Sequence, residues 1–442
     1  MREANLEIIK KLKAFLVQVK EDPSLRHHFA SQEAFTKNRK LPLERMVYLI
    51  ISLLKRSLSV ELEDFFQSYY PDDSCASKAA LSKQRQKLDY SFFTLWNAVL
   101  VKSFYECYQH EVKRWKGFRL MAIDGSTAYL INKPELIAHF GVQSNQSTSI
   151  AMGQIMELHD ILNDLTVCSA MYPIEMSEQQ VAYQWIPCLE PDTLTIYDRG
   201  YPSFSALYLH LEQEQPRHFV MRCRTNFNKE VIAFMSSLNT SQAVTFKATD
   251  IAIQELKKHG YMLTKASTIV VRLIKVKLAD GSTETLITSL LDENEYPESI
   301  FSDLYFKRWG IETSYAIRKN NQQMEVFSGY KVNTVLQDFY AGIFVGNLQN
   351  ILSKPAQSSV TKKTRGRKYH YKINKNVALG LLKRHLIRIF IEIDPEQIII
   401  ELESLFERYT EPIRPSRSYP REVRGKRAKG KYQTLTNYKR AI

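Results

Sequence analysis

Residues 118–127, FRLMAIDGST, and residues 193–203, TLTIYDRGYPS, share one pattern: an apolar run closed by an aspartate and followed by turn residues. Short aliphatic and β-branched runs bounded by Gly, Pro and Ser read as buried strands ending in a turn. Each strand would deliver its aspartate, Asp124 or Asp198, from a buried sheet into a crevice. Taken singly, either one reads more often as a turn or capping residue.

Between them lie GQIMELHDI (153–161) and LTVCSAMYPI (165–174), separated by the turn residues Leu162, Asn163 and Asp164. This spells a hairpin, with His159 and Asp160 in turn roles. EMSEQQVAYQWI (175–186) reads as a helix, SFSALYLHLEQEQ (203–215) as another, and HFVMRCR (218–224) as a strand. Strand, hairpin, helix, strand, helix, strand is the order of an RNase H-like core, expected over residues 113–224.

Residues 225–297 read as a β-rich insertion into that core. STIVVRLIKVKL (267–278) and STETLITSLL (282–291) flank Ala279-Asp280-Gly281, and Asp-Gly between two β-branched runs signals a hairpin. The core is expected to resume over 298–353, with ESIFSDLYFKRWGIETSYAIRKNNQ (298–322) as one helix and TVLQDFYAGIFVGNLQNIL (334–352) as a second.

The flanks differ in character. Residues 1–112 read as an all-helical domain, from apolar spacing in LPLERMVYLIISLLKRS (41–57) and YSFFTLWNAVLVKSFYECYQHEVKRW (90–115). Within it SCASKAALSKQRQKL (74–88), with four cations, reads either as a helix-turn-helix-like DNA reader or as a solvated helix face. Residues 354–442 read as a helical, basic region that opens with eight cations and no acid over 354–375. KKTRGRK (362–368) would track phosphates or form a solvated loop. The tail from Glu411 is Pro-rich, basic and poor in aliphatics, the composition of a segment ordered only by an acidic partner. The expected class is therefore α/β.

Composition points to the partner. Sixty-one Lys and Arg against forty-seven Asp and Glu leave a net charge of +14 over 442 residues. Such a balance favours nucleic acid, because neutralising phosphates supplies most non-specific affinity. The five cysteines are scattered without a C-x-x-C pair, so a reducing cytosol is expected and zinc is not. No secretory signal is seen at the start, and no apolar run approaches the roughly 20 residues of a membrane span, so a cytoplasmic protein is expected.

The third acid lies on the expected helix 298–322. Tyr305, Arg308, Glu312 and Lys319 stand at helical angles of roughly 0°, 300°, 340° and 320°, so all four share one narrow stripe. One reading is an i,i+4 ion pair of Arg308 with Glu312 on a solvated face. The other is a carboxylate that holds a metal while its neighbours grip phosphate.

Tyr305-x2-Arg308-x3-Glu312-x6-Lys319 is similar, without a gap, to the YREK signature of the insertion sequence four family of DDE transposases, and YFKRWGIE (305–312) resembles its centre. AIDGST (122–127) and YDRGYPS (197–203) resemble the segments that carry the family's first and second aspartates. The resemblance covers roughly residues 118–350. It implies a bacterial cut-and-paste transposase in which Asp124, Asp198 and Glu312 hold two Mg²⁺ ions, or Mn²⁺ in their place. Tyr305, Arg308 and Lys319 would bind phosphates near the scissile bond. Arg199 would contact DNA or brace the carboxylate beside it, or simply form a sheet-end ion pair.

The partners implied are double-stranded DNA, as element ends and as target, and a second copy of the chain in the DNA complex. Nucleoid association would follow from DNA binding. The resemblance also implies hairpin intermediates at the element tips and an aromatic that holds a flipped base. No tryptophan falls in the expected insertion, which leaves Tyr261 or Phe246 there. Two rival readings are a catalytically retired, transposase-derived DNA binder and an RNase H-like nuclease. The first leaves three acids beside a phosphate path unexplained, and the second leaves the long insertion and the Tyr/Arg/Lys stripe unexplained.

Overall fold

The computed structural model describes residues 1–31, 33–37, 39–144, 149–277 and 281–414. The chain begins with five helices, α1 (Arg2–Glu21), α2 (Leu43–Ser52), α3 (Leu58–Tyr69), α4 (Lys78–Arg85) and α5 (Ser91–Cys107). There follow β1 (Arg119–Tyr129), α6 (Pro134–Phe140), β2 (Val142–Ser144), β3 (Ser149–Asp160), β4 (Leu165–Pro173), α7 (Glu178–Trp185), β5 (Thr193–Tyr197), α8 (Phe204–Leu211) and β6 (His218–Cys223). Next come α9 (Lys229–Ser236), β7 (Ser241–Lys247), α10 (Asp250–Lys258), β8 (Thr268–Lys277) and β9 (Thr283–Thr288). The chain continues through α11 (Phe301–Phe306), α12 (Trp309–Asn320), α13 (Val332–Leu352), α14 (Lys354–Lys363), β10 (His370–Ile373), α15 (Lys375–Ile391), α16 (Glu396–Arg408) and β11 (Thr410–Ile413).

These elements form two compact units, one of residues 1–112, 127–153 and 316–442, the other of residues 113–126 and 154–315. The first is mostly helical. Apolar spacing on α5 and α13 buries both helices, and Trp96 of α5 stacks on Phe344 of α13 with ring centroids 3.9 Å apart. Arg85, from the four-cation segment, is buried and pairs with Asp338 of α13 at 2.7 Å. That cation is thus committed to the fold and not to a DNA-facing surface.

The second unit is built on a mixed sheet in the order β3-β1-β5-β6-β9-β8-β7, with β4 also paired to β3. β1, β5 and β6 run parallel, while β6, β9, β8 and β7 pair antiparallel in turn. Side chains alternate between two faces. Met121, Ile123, Tyr197, Phe219 and Met221 pack on one face under residues of α7 and α8, and Leu120, Leu194, Ile196 and Val220 on the other against Phe301 and Leu304 of α11. The strands of the expected insertion extend this sheet through the β6–β9 pairing, and α9 and α10 lie among them in sequence.

The single helix expected over 298–322 is two. α11 ends at Phe306 and α12 begins at Trp309, with Arg308, Gly310 and Ile311 donating to the carbonyls three residues back. Those tighter bonds interrupt the 3.6-residue repeat. Gly310 fits the break because a Cβ there would stand 2.9 Å from Ile161 Cγ2. Tyr305 therefore sits on the first helix, Glu312 on the second and Arg308 between them, so the one-helix angles do not apply.

At the other end, Lys362 and Lys363 close α14, so part of the basic KKTRGRK segment is helical. Residues 411–413 belong to β11, paired antiparallel with β10. The expected turn residues Ala279 and Asp280 and the tail 415–442 lie outside the described residues, while Gly281 has φ +83° and β8 and β9 are antiparallel partners. Among the described residues no helix is long and apolar enough to cross a membrane.

Candidate active site

The parallel register sets the two aspartates against each other. Ala122 of β1 is paired with Ile196 of β5. Two residues further along each strand stand Asp124 and Asp198, at one level and on the face that α11 covers. Asp198 lies just past the end of β5, and its Oδ1 accepts from the Gly200 N–H at 2.6 Å. Asp124 Oδ1 accepts from the Gly125 N–H at 2.9 Å, and the Asp124 carbonyl accepts from Tyr315 Oη at 2.9 Å.

Arg308, at the α11–α12 break, joins two of the acids. Its guanidinium donates to Glu312 Oε1 at 2.7 Å and stands 3.6 Å from Asp124 Oδ2. The i,i+4 pair read from the sequence therefore forms, with the Arg308 side chain only 9% exposed and that of Glu312 34%. Among the described residues no group of three acidic, histidine or cysteine side chains is gathered closely enough to hold a metal ion. In this arrangement the guanidinium occupies the space between Asp124 and Glu312.

Burial pushes the Asp124 carboxyl up to about 7, against the Gly125 N–H and Arg308, and the negative charges of Asp198 and Glu178 push the same way. Tyr305 is pushed up to about 12, first by burial. Its hydroxyl and the Arg308 Nε are buried and form no hydrogen bond with any described residue. Two buried donors left open beside three acids suit an incoming acceptor such as a phosphate oxygen.

The remaining candidates are spread more widely. Arg199 is exposed beside Asp198. Lys319 belongs to the other compact unit, where its ammonium donates to the Thr127 carbonyl at 2.7 Å and lies 4.0 Å from Glu325. Phe246 is buried in the core and Tyr261 packs edge-on to Tyr208, so neither is a free stacking surface. Trp309 is 44% exposed, with its ring 5.2 Å from the Arg308 guanidinium. Trp309 lies outside the insertion in which the resemblance places the aromatic, although its position next to Arg308 is plain in the sequence.

A further carboxylate was missed altogether. Glu178 opens α7, accepts from Gln154 Nε2 at 2.9 Å and Tyr201 Oη at 3.0 Å, and lies against Gly125. In the sequence it looked like an ordinary first-turn acid.

The family described as the transposase DDE domain matches residues 177–348, a span that holds Asp198 and Glu312 and begins after Asp124. The chain is 24% identical over 319 residues to the transposase InsG for insertion sequence element IS4 of Escherichia coli (strain K12), covering 71% of this chain and 70% of that protein. Among solved structures it is similar to the piggyBac transposase synaptic complex with hairpin DNA, at TM-score 0.42 and 11% identity, over 89% of this chain and 84% of that one. The match to the transposase DDE domain and the likeness to an IS4 transposase together support an IS4-type DDE transposase.

Proposed function

We propose that this transposase cuts DNA at the ends of its own element and joins them to a target, using Asp124, Asp198 and Glu312 on an RNase H-like core. The strand order β4-β3-β1-β5-β6, with β5 and β6 parallel to β1, supports that core. The observation that carries the proposal is the register: it brings Asp124 and Asp198 level on adjacent parallel strands, beneath the helix pair that bears Arg308 and Glu312.

The residues fit a hard divalent cation such as Mg²⁺. The donor set is three carboxylates without thiolate or imidazole, and Asp124 is short of compensating positive charge even with Arg308 beside it. Asp124, Asp198 and Glu312 would hold the metal, with the Arg308 guanidinium turning from between them toward DNA. When bound, two such ions activate the attacking oxygen and stabilise the leaving one.

The chain's own side chains supply the rest. The Tyr305 hydroxyl and the Arg308 Nε donate to phosphate oxygens and fix the strand for in-line displacement. Lys319 and Arg199 would contact the DNA backbone. Trp309, exposed next to Arg308, supplies the face on which a base flipped out of a hairpin tip would stack. Two element ends must be held together, so the DNA complex is a homodimer.

The test is strand nicking and joining on a duplex carrying the element's terminal repeats, with Mg²⁺. Asp124→Ala, Asp198→Ala and Glu312→Ala should each lose activity by three orders of magnitude or more, as expected where groups act as one unit, roughly 10³ or above. Retention of full cleavage by all three would sink the assignment.

A further inference from the structure

Behind the aspartates, on the opposite face of the sheet, one side chain touches both segments that carry them. Gly125 has the strand parity of Met121 and Ile123, so it faces the layer that contains α7. There the Glu178 carboxylate lies so close that a Cβ at Gly125 would stand 2.1 Å from Oε1 and 2.3 Å from Cδ. Only glycine admits that approach.

Oε1 of Glu178 accepts from Gln154 on β3, and Oε2 accepts from Tyr201, three residues after Asp198. Tyr201 is 2% exposed and packs against Tyr197 with the two rings tilted, so its ring is held in place. The next residue of α7, Gln179, donates to the Gly200 carbonyl at 2.7 Å. The first turn of α7 thus contacts β1 at the residue after Asp124 and the loop after Asp198 at two points.

We propose that Glu178 is a positioning residue that sets the placement of the Asp124 and Asp198 segments relative to each other. Placing a fourth acid beside buried carboxylates costs electrostatic energy, so its presence there calls for contacts that offset that cost. Its two oxygens accept from two donors on different elements at once, which an aliphatic residue cannot do. The inference rests on the active-site assignment above.

The test compares Glu178→Ala, Glu178→Gln and Tyr201→Phe in single-turnover nicking of the terminal-repeat duplex with Mg²⁺, alongside duplex affinity and melting temperature. Displacing a reacting group by about 1 Å costs on the order of 100-fold in rate. Glu178→Ala should therefore nick about 100-fold more slowly with unchanged duplex affinity. Glutamine keeps the length, one acceptor for Gln154 and a donor for the Tyr201 oxygen, so Glu178→Gln should stay within about 5-fold of the parent. Glu178→Ala with Tyr201→Phe should be no slower than Glu178→Ala alone, because both remove one linkage.

Wild-type nicking by Glu178→Ala overturns the proposal, as does a Glu178→Gln rate as low as that of alanine. If Glu178→Ala does not fold, Tyr201→Phe decides: slowed nicking at parental affinity supports the linkage, and a parental rate overturns it. Asp124→Ala runs beside them. Its full activity would remove the active-site assignment itself, whereas a dead Asp124→Ala with a fully active Glu178→Ala removes only the role of Glu178.

Discussion

Two buried arginines, one in each compact unit, face carboxylates in opposite ways. Arg85 donates to Gln337, Ser328, the Thr334 carbonyl and Asp338, so each of its three guanidinium nitrogens is engaged. Asp338 also accepts from the Ser328 backbone and hydroxyl, and although burial alone would raise it, Arg85 and these donors hold it well below the ordinary carboxylate range. Arg308 makes one close bond to Glu312, leaves its Nε open, and does not bring Asp124 down from about 7. The first cluster is complete within the chain. The second is unfinished, which suits the proposed binding of metal and phosphate there.

Replacing each arginine by methionine should split the two clusters most widely. Arg85→Met leaves Asp338 charged and buried, which costs about 3 to 5 kcal/mol, read as a large fall in melting temperature. Arg308→Met should leave the fold near parental stability, since Asp124 can take up a proton, while nicking falls on the order of 10²- to 10³-fold. Equal destabilisation by the two variants would erase the distinction. A smaller separation is expected from pH and Mg²⁺. Metal-free, native Asp124 keeps a proton between its unfolded pKa near ~4 and about 7, so its contribution to stability falls as pH rises through that window. Mg²⁺ must displace that proton, so its affinity should drop about tenfold per pH unit below 7. Thermal shifts with Mg²⁺ at pH 5 and pH 8 check this: the shift should be larger at pH 8, and Asp124→Asn should lose the difference.

What was legible in the sequence follows the same division. The strand end at Asp198 could be read because buried parallel strands are continuous apolar runs and turn residues mark where they stop, whereas β1 runs on to Tyr129, so Asp124 lies within its strand and the turn expected after it does not form. The Arg308–Glu312 pairing was readable from i,i+4 spacing and survives in the structure, but on a broken helix. The break was hidden because Gly310 owes its role to Ile161, far away in sequence. Glu178 was hidden for the same reason: nothing near residue 178 announces Gly125 or Tyr201. Arg85 shows the converse error. A cation in a basic segment resembled a DNA contact, and only Asp338, 253 residues later, reveals it as a core residue.

The finest distinction between the clusters is a single hydroxyl. In the Arg85 cluster the Ser328 hydroxyl both accepts from the guanidinium and donates to Asp338, so removing it would leave buried partners unmet. In the Arg308 cluster the Tyr305 hydroxyl is buried without a hydrogen bond to any described residue. Leaving such a group unpaired costs about 1 to 3 kcal/mol, so Tyr305→Phe should melt at or slightly above the parental temperature. Nicking should nevertheless fall by roughly 10- to 100-fold, the worth of one hydrogen bond to a charged phosphate at about 1.5 to 3 kcal/mol. Ser328→Ala should do the reverse, lowering the melting temperature while leaving the nicking rate of the folded enzyme unchanged. A Tyr305→Phe variant that loses stability but nicks at the parental rate would place its hydroxyl with the structural cluster instead.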